Sequence, residues 1–275
     1  MKDFSFKLAS RKHKKEDTII NINGNLIGEG NVCIIAGPCT VENREQAFEI
    51  ADGIKQLGLK FFRGGIFKGR TSPYNFQGIK EDGYKIFEEI KKSLGLVVVS
   101  EITSASQIPQ MTKCVDIFQI GARNMQNYEF LREIARTKKP ILLKRHFSAN
   151  IEELLLAAEY ILLEGNEQVI LCERGIKTFE PMTRNTFDIN AIPLLKELTH
   201  LPVIADPSHG TGIRSIVNPV GKAAIMAGAD GLIVEVHNNP DQALCDGFQS
   251  ITLQMLRELL KDTKAICDLL GKKFN

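Results

Sequence analysis

The feature that most constrains this chain is a recurrence. Eight short runs dominated by β-branched and other apolar residues (32–36, 60–63, 96–100, 117–120, 141–144, 169–172, 203–205 and 231–234) alternate with segments of helical period. Most of these runs are continuously apolar rather than alternating, which suits strands buried on both faces of a parallel sheet. Between them, Ala47, Ile50, Ala51, Ile54 and Leu57 mark one apolar helical stripe. Ile151, Leu154, Leu155, Ala158 and Ile161 mark another, and a last helix is expected over about 250–270. Strand starts recur at intervals of roughly 20 to 40 residues, the spacing of β-loop-α-loop units. Eight units over about 240 residues predict an α/β fold, a (β/α)8 TIM barrel, with a doubly wound open sheet as the second arrangement.

The first 30 residues stand outside the repeat. Segments 18–21 and 26–27 flank Asn23-Gly24, a dipeptide that favours the type I′ turn of a β-hairpin. The expected organisation is an N-terminal tail and hairpin over 1–30, closing the bottom of a catalytic barrel over 31–275. The basic stretch from Arg11 to Lys15 reads as a solvated tail.

Composition removes several function classes. With 43% hydrophobic and 25% charged residues and a net charge of +2, the chain is ordinary for a globular domain and lacks the charge excess of a nucleic-acid surface. No apolar run approaches the roughly 20 residues that span a bilayer. The polar, Lys-rich start has no secretory core. Six cysteines without a C-x-x-C pair predict reduced thiols in a cytoplasm rather than a disulfide framework.

In barrels of this kind the chemistry sits at the C-terminal ends of the strands. Those ends carry, in order, Cys39, then Arg63 with Lys68 and Arg70, then Glu101, then Arg123. Lys144, Glu173-Arg174, Asp206 with His209, and Glu235 complete the ring. Two chemical groups separate. Arg63, Lys68, Arg70, Arg123, Lys144 and Arg174 are more cations than one phosphate requires. They suit a ligand bearing carboxylate and phosphate with a second phosphate beside it. Cys39, His209, Glu235 and Asp246 form a thiolate, imidazole and carboxylate set suited to a borderline divalent transition ion of the Mn, Fe, Co or Zn class. Spacing alone leaves open both a metal site and a core thiol, a helix cap and an ion pair.

The segments Ala36-Gly37-Pro38-Cys39, Lys68-Gly69-Arg70-Thr71-Ser72, Gly121-Ala122-Arg123, Leu143-Lys144-Arg145, Asp206-Pro207-Ser208-His209 and Val234-Glu235-Val236-His237 resemble the 3-deoxy-D-arabino-heptulosonate 7-phosphate synthases. The likeness is to their compact subgroup, which is related to 3-deoxy-D-manno-octulosonate 8-phosphate synthase, and it runs from about residue 31 to 270. The resemblance implies a barrel that joins phosphoenolpyruvate to erythrose 4-phosphate at the start of the shikimate route to aromatic amino acids. It implies one divalent metal ion on Cys39, His209, Glu235 and Asp246. Arg63, Lys68, Arg123, Lys144 and Arg174 would surround phosphoenolpyruvate, its carboxylate facing Arg63 and the lysines and its phosphate facing Arg123 and Arg174. Arg70 and Thr71 would hold the sugar phosphate, and Asp206 joins the substrate-binding residues.

Lys144 is expected as proton donor, Glu101 as the group orienting water, and Cys39 and His209 as the metal-bearing members of the catalytic set. The Lys68 to Ser72 loop is close to the Lys-Pro-Arg-Thr-Ser pattern of the heptulosonate enzymes, whereas the octulosonate enzymes show Lys-Ala-Asn-Arg. Gly69 replaces the usual Pro, which frees the backbone there. Asn238, Cys245 and Phe248 stand where the subgroup usually has Pro, Ser and Pro. The family is usually dimeric or tetrameric, so a homodimer or homotetramer is expected. The N-terminal segment is short for a regulatory domain, so no inhibition by aromatic amino acids is expected. Two other readings remain: the octulosonate reaction with arabinose 5-phosphate, and a Schiff-base aldolase using Lys144.

Overall fold

The computed structural model describes residues 5–275. An antiparallel hairpin, β1 (Ile20–Ile22) and β2 (Asn25–Ile27), precedes β3 (Asn31–Gly37), α1 (Arg44–Gln56), β4 (Phe61–Arg63), α2 (Asp82–Leu94), β5 (Val97–Glu101) and α3 (Ile108–Cys114). There follow β6 (Ile117–Ile120), α4 (Tyr128–Ala135), β7 (Ile141–Lys144), α5 (Ile151–Leu163), β8 (Val169–Glu173) and α6 (Ala191–Leu198). The chain ends with β9 (Val203–Ala205), α7 (Pro207–Thr211), α8 (Arg214–Met226), β10 (Gly231–Glu235), α9 (Leu253–Leu270) and β11 (Lys273–Phe274). Strands β3 to β10 pair in sequence order, all parallel, and β10 returns to β3 through Gly231–Cys33 to Glu235–Gly37. The sheet closes on itself. It is a (β/α)8 barrel, and the open doubly wound alternative is excluded by that closing pair.

Although the strands read as unbroken apolar runs, the pleat divides their residues between two cores. Cys33, Ile35, Phe61, Val97, Val99, Ile117, Leu142, Ile170, Ile204 and Ile233 fill the barrel interior. Val32, Ile34, Ala36, Phe62, Val98, Phe118 and their equivalents face the helices. The hairpin belongs to the interior group: Ile20, Ile22 and Ile27 pack with it and seal the end where the strands begin. Its turn has Asn23 at φ 53° and Gly24 at φ 86°, the two left-handed residues that a type I′ turn demands. Caps set the helix boundaries. Asn43 accepts from Gln46 N ahead of α1, Asn150 and Glu153 form a reciprocal capping box at α5, and Gly271 ends α9 at φ 65°.

Lys12, His13 and Lys15 are exposed, as a solvated stretch would be, but the residues on either side of them are docked. Met1 to Phe4 lie outside the described residues, but Phe6 and Ala9 are buried. Glu159 accepts from the backbone N–H groups of Lys7 (2.8 Å) and Ala9 (2.7 Å). Arg11 donates to Lys196 O and Lys15 O and pairs with Asp17. Arg11 thus satisfies two carbonyls and a carboxylate, and Lys14 donates to Thr18 Oγ1. Strand β11, paired with the start of β3, had no counterpart in the sequence reading.

Candidate active site

The strand ends converge on a cavity of about 390 Å³ at the C-terminal mouth of the barrel, a size suited to small metabolites. Lys68, Arg70, Arg123, Lys144 and Arg174 line it, with Glu101, His209 and Asp246 at its floor and wall. Backbone clearances make the convergence possible. A Cβ on Gly37 would stand 1.9 Å from Arg63 O, so only glycine lets the ends of β3 and β4 approach this closely. A Cβ on Gly121 would stand 2.0 Å from Glu101 Oε1, so that glycine leaves room for the carboxylate.

The cations divide by partner. Arg63 donates to Glu235 Oε1 (2.8 Å) and Cys39 O (3.2 Å), and it is buried beneath the cavity rather than lining it. Its guanidinium ties β4 to β10 and to the loop after β3. Lys68 Nζ lies 3.4 Å from Glu101 Oε2, and Lys144 Nζ lies 2.5 Å from Asp206 Oδ2. Arg123 donates to Thr71 Oγ1 at 3.3 Å. Arg174 is only 6% exposed, and among the described residues no carboxylate pairs with it. Burial lowers its pKa, the penalty for holding a guanidinium out of water without a counter-ion. Arg70 turns inward, with Nη1 on Cys245 Sγ and 3.9 Å from Asp246 Oδ1.

Cys39, His209, Glu235 and Asp246 are brought together as two overlapping groups that share Asp246. One is His209, Glu235 and Asp246; the other is Cys39, Cys245 and Asp246, with ligand atoms within 4.8 Å of one another in each. His209 Nδ1 lies 2.7 Å from Asp206 Oδ2 and its Nε2 lies 3.3 Å from Glu235 Oε1. Glu235 Oε2 accepts from the buried Gln249 at 2.6 Å.

Burial lowers the His209 pKa to about 4, although Asp206 and Glu235 oppose it, so the ring is neutral near pH 7 and able to donate a lone pair. Burial pushes the Glu235 carboxyl up, but His209, Arg63 and Lys68 outweigh it and hold it ionised well below the usual range. Burial likewise pushes Glu101 up, and Lys68 and Lys144 bring it below its ordinary value. Hydrogen bonding with Cys245 is the first cause holding the Cys39 thiol up, followed by burial and Glu235.

Several lining residues had no signal at a strand end. Lys177, Arg184 and Asn185 enter from the middle of the loop between β8 and α6. Arg184 donates to Asp246 Oδ2 (3.2 Å) and Gln249 Oε1 (2.7 Å), and Asn185 donates to His209 O (2.8 Å). A basic residue beside an Asn in a long barrel-mouth loop was the available clue. Asp246 sits at φ 53°, a left-handed conformation that Asp tolerates better than most residues, in the loop between β10 and α9.

Similarity to known proteins agrees with this architecture. The profile of the DAHP synthetase I family matches residues 13–269. Phospho-2-dehydro-3-deoxyheptonate aldolase of Thermotoga maritima is 48% identical over 98% of this chain and 80% of its own length. A 2-dehydro-3-deoxyphosphooctonate aldolase of Desulfosudis oleivorans is 32% identical over 91% of this chain and 95% of its own length. A crystal structure of the Thermotoga maritima DAHP synthase superposes with a TM-score of 0.96 at 47% identity, covering 99% of this chain and 80% of that one. A truncated form of the same synthase gives 0.92 at 45% identity, covering 98% and 100%. With the barrel, its ring of cations and a family match spanning nearly all of its length, this chain belongs to the DAHP synthetase I family.

Proposed function

We propose that the chain condenses phosphoenolpyruvate with D-erythrose 4-phosphate and water. The products are 3-deoxy-D-arabino-heptulosonate 7-phosphate and inorganic phosphate, the first step of the shikimate pathway. The observation that carries this reading is Arg174, a buried guanidinium with no carboxylate partner among the described residues, in one cavity with Arg123, Lys68 and Lys144. Such a group calls for an anionic ligand. We assign the phosphate of phosphoenolpyruvate to Arg123 and Arg174 and its carboxylate to Arg63, Lys68 and Lys144. Arg70 and Thr71 take the sugar phosphate, Arg70 swinging away from Cys245.

The donor set fits one divalent transition metal ion in chemistry, because an uncharged imidazole and an ionised carboxylate cluster with Asp246, and a thiol clusters with the same Asp246. Cys39, His209, Glu235 and Asp246 would hold it. When bound, it supplies Lewis-acid polarisation of the sugar aldehyde oxygen. The chain's own side chains do the rest. Attack by C3 of phosphoenolpyruvate on the aldehyde leaves positive charge at C2, which the ionised Glu101 stabilises while it orients the water that adds there and accepts the proton that water gives up. Lys144, anchored by Asp206, delivers a proton to the developing alkoxide. Arg123 and Arg174 then hold the phosphate as the hemiketal C–O bond breaks. The Nζ of Lys144 is engaged by Asp206 at 2.5 Å, which does not favour a Schiff-base role.

We further propose that the functional division falls at residue 30, with all of this chemistry on 31–275, and that the protein is a cytoplasmic homodimer or homotetramer. No helix among the described residues is long and apolar enough to cross a membrane.

The test is phosphate release from phosphoenolpyruvate with erythrose 4-phosphate or arabinose 5-phosphate, before and after chelation and metal add-back. Turnover with the four-carbon sugar, lost on chelation and restored by Mn²⁺, Co²⁺ or Zn²⁺, is expected. A preference for arabinose 5-phosphate would move the chain to the octulosonate reaction.

A further inference from the structure

Cys245 immediately precedes Asp246 in the loop between β10 and α9. In the structure Cys245 is buried, and its Sγ lies 3.1 Å from Cys39 Sγ. Cys39 Sγ in turn lies 3.5 Å from Asp246 Oδ2, and the three residues form one group of potential ligands. Arg70 Nη1 reaches Cys245 Sγ as well, placing positive charge beside the sulfur pair. Two thiolates on one ion, with metal–sulfur bonds of about 2.3 Å and a sulfur–metal–sulfur angle of about 110°, stand about 3.8 Å apart. The observed pair needs only a small opening to reach that spacing, within the freedom of two side-chain torsions.

We propose that Cys245 is a second sulfur ligand, which makes this metal site selective for thiophilic divalent ions such as Zn²⁺ and Cd²⁺ over Mn²⁺. The inference deepens the metal reading given above and rests on it. The physical reason is ligand softness. A site with one thiolate among imidazole and carboxylates accepts the whole Mn to Zn series, whereas a second thiolate favours soft and borderline ions and adds little for a hard one. Cys39 and Cys245 come from different loops, after β3 and after β10. An ion on both sulfurs would therefore also tie those loops together at the cavity wall.

Co²⁺ binding to the metal-free protein, with thiols kept reduced under anaerobic conditions, tests this directly. Thiolate-to-cobalt charge-transfer absorption counts cobalt–sulfur bonds. The wild type is expected to show the intensity of two, and Cys245→Ser about half of it. Competition should show Cys245→Ser losing about 10- to 100-fold in Cd²⁺ and Zn²⁺ affinity, with Mn²⁺ affinity changed little. Serine is nearly isosteric, and the melting temperature of the metal-free variant checks that the fold is kept. Equal charge-transfer intensity in the two proteins, with an unchanged Cd²⁺ to Mn²⁺ preference, overturns the role of Cys245 and leaves the metal site standing. A wild type that binds no Co²⁺ overturns the metal reading and this inference together.

Discussion

Asp206 grips His209 at two points: its Oδ1 accepts the His209 backbone N–H at 2.9 Å, and its Oδ2 lies 2.7 Å from the ring Nδ1. The proton on the imidazole is thereby directed to Nδ1, and Nε2 is left to face Glu235 and the candidate metal position. The same Oδ2 holds Lys144 Nζ, so one buried carboxylate orients both a metal ligand and the proposed proton donor. Asp206→Asn keeps the shape but removes the charge and one acceptor. Its metal affinity, measured by equilibrium titration, should fall about 10- to 100-fold. Because Lys144 loses its anchor too, kcat with saturating metal should also fall. Normal metal affinity in Asp206→Asn would remove the orienting role.

Arg174 makes a separate prediction. A guanidinium presents a planar fork to phosphate oxygens, whereas lysine offers a point charge on a flexible stem. Arg174→Lys should therefore raise the KM for phosphoenolpyruvate about tenfold or more and leave the KM for erythrose 4-phosphate within about twofold. An equal rise for both substrates would place the residue elsewhere in the cavity.

How much of this was legible beforehand differs between fold and site. The eight strands were readable because most are continuous apolar runs with a charged residue or thiol at or shortly after their ends, and their observed bounds differ from the expected ones by about a residue at either end. The docking of residues 5–18 was not readable. Its determinants, such as Glu159 accepting from Lys7 and Ala9 or His200 Nδ1 lying 2.8 Å from Thr18 Oγ1, join positions far apart in the chain. Within the site, residue types at strand ends announced themselves, but their partners did not. Arg63 and Arg174 look alike in sequence. Only the fold shows that one is paired with Glu235 and the other has no carboxylate partner among the described residues. Arg184 escaped notice because it lies mid-loop, where no strand period points to it.

Gly121 tests whether the room around Glu101 is functional. In Gly121→Ala the new Cβ would stand 2.0 Å from Glu101 Oε1, and the flexible carboxylate rather than the strand would give way. The displacement breaks the 3.4 Å approach of Lys68 and misaims the group proposed to orient water. A fall in kcat of about tenfold to a hundredfold is expected, with phosphoenolpyruvate affinity largely retained. Unchanged kcat in a folded variant would take Glu101 out of the chemistry.

The metal-free protein should lose stability as pH falls, in a window set by His209. Burial holds the folded ring at a pKa of about 4, against 6.5 for an unperturbed histidine. Between those values the unfolded chain takes up a proton that the fold refuses, so acid favours unfolding there. Glu235 and Asp206 act in the same direction at lower pH. Burial raises both carboxyls, but His209 with Arg63 and His209 with Lys144, respectively, more than offset it. The fold therefore keeps them ionised after their unfolded counterparts have become protonated. Melting temperature should be flat above about pH 7.5, begin to fall below about 6.5, and fall further below about 4.5. His209→Gln, which has no titrating ring, should lose much of the decline between about 6.5 and 4. The part below it should shrink, because His209 helps hold Glu235 and Asp206 ionised. A wild-type melting temperature that holds steady from neutral pH to about 4.5 would show that His209 takes up its proton in the folded state after all.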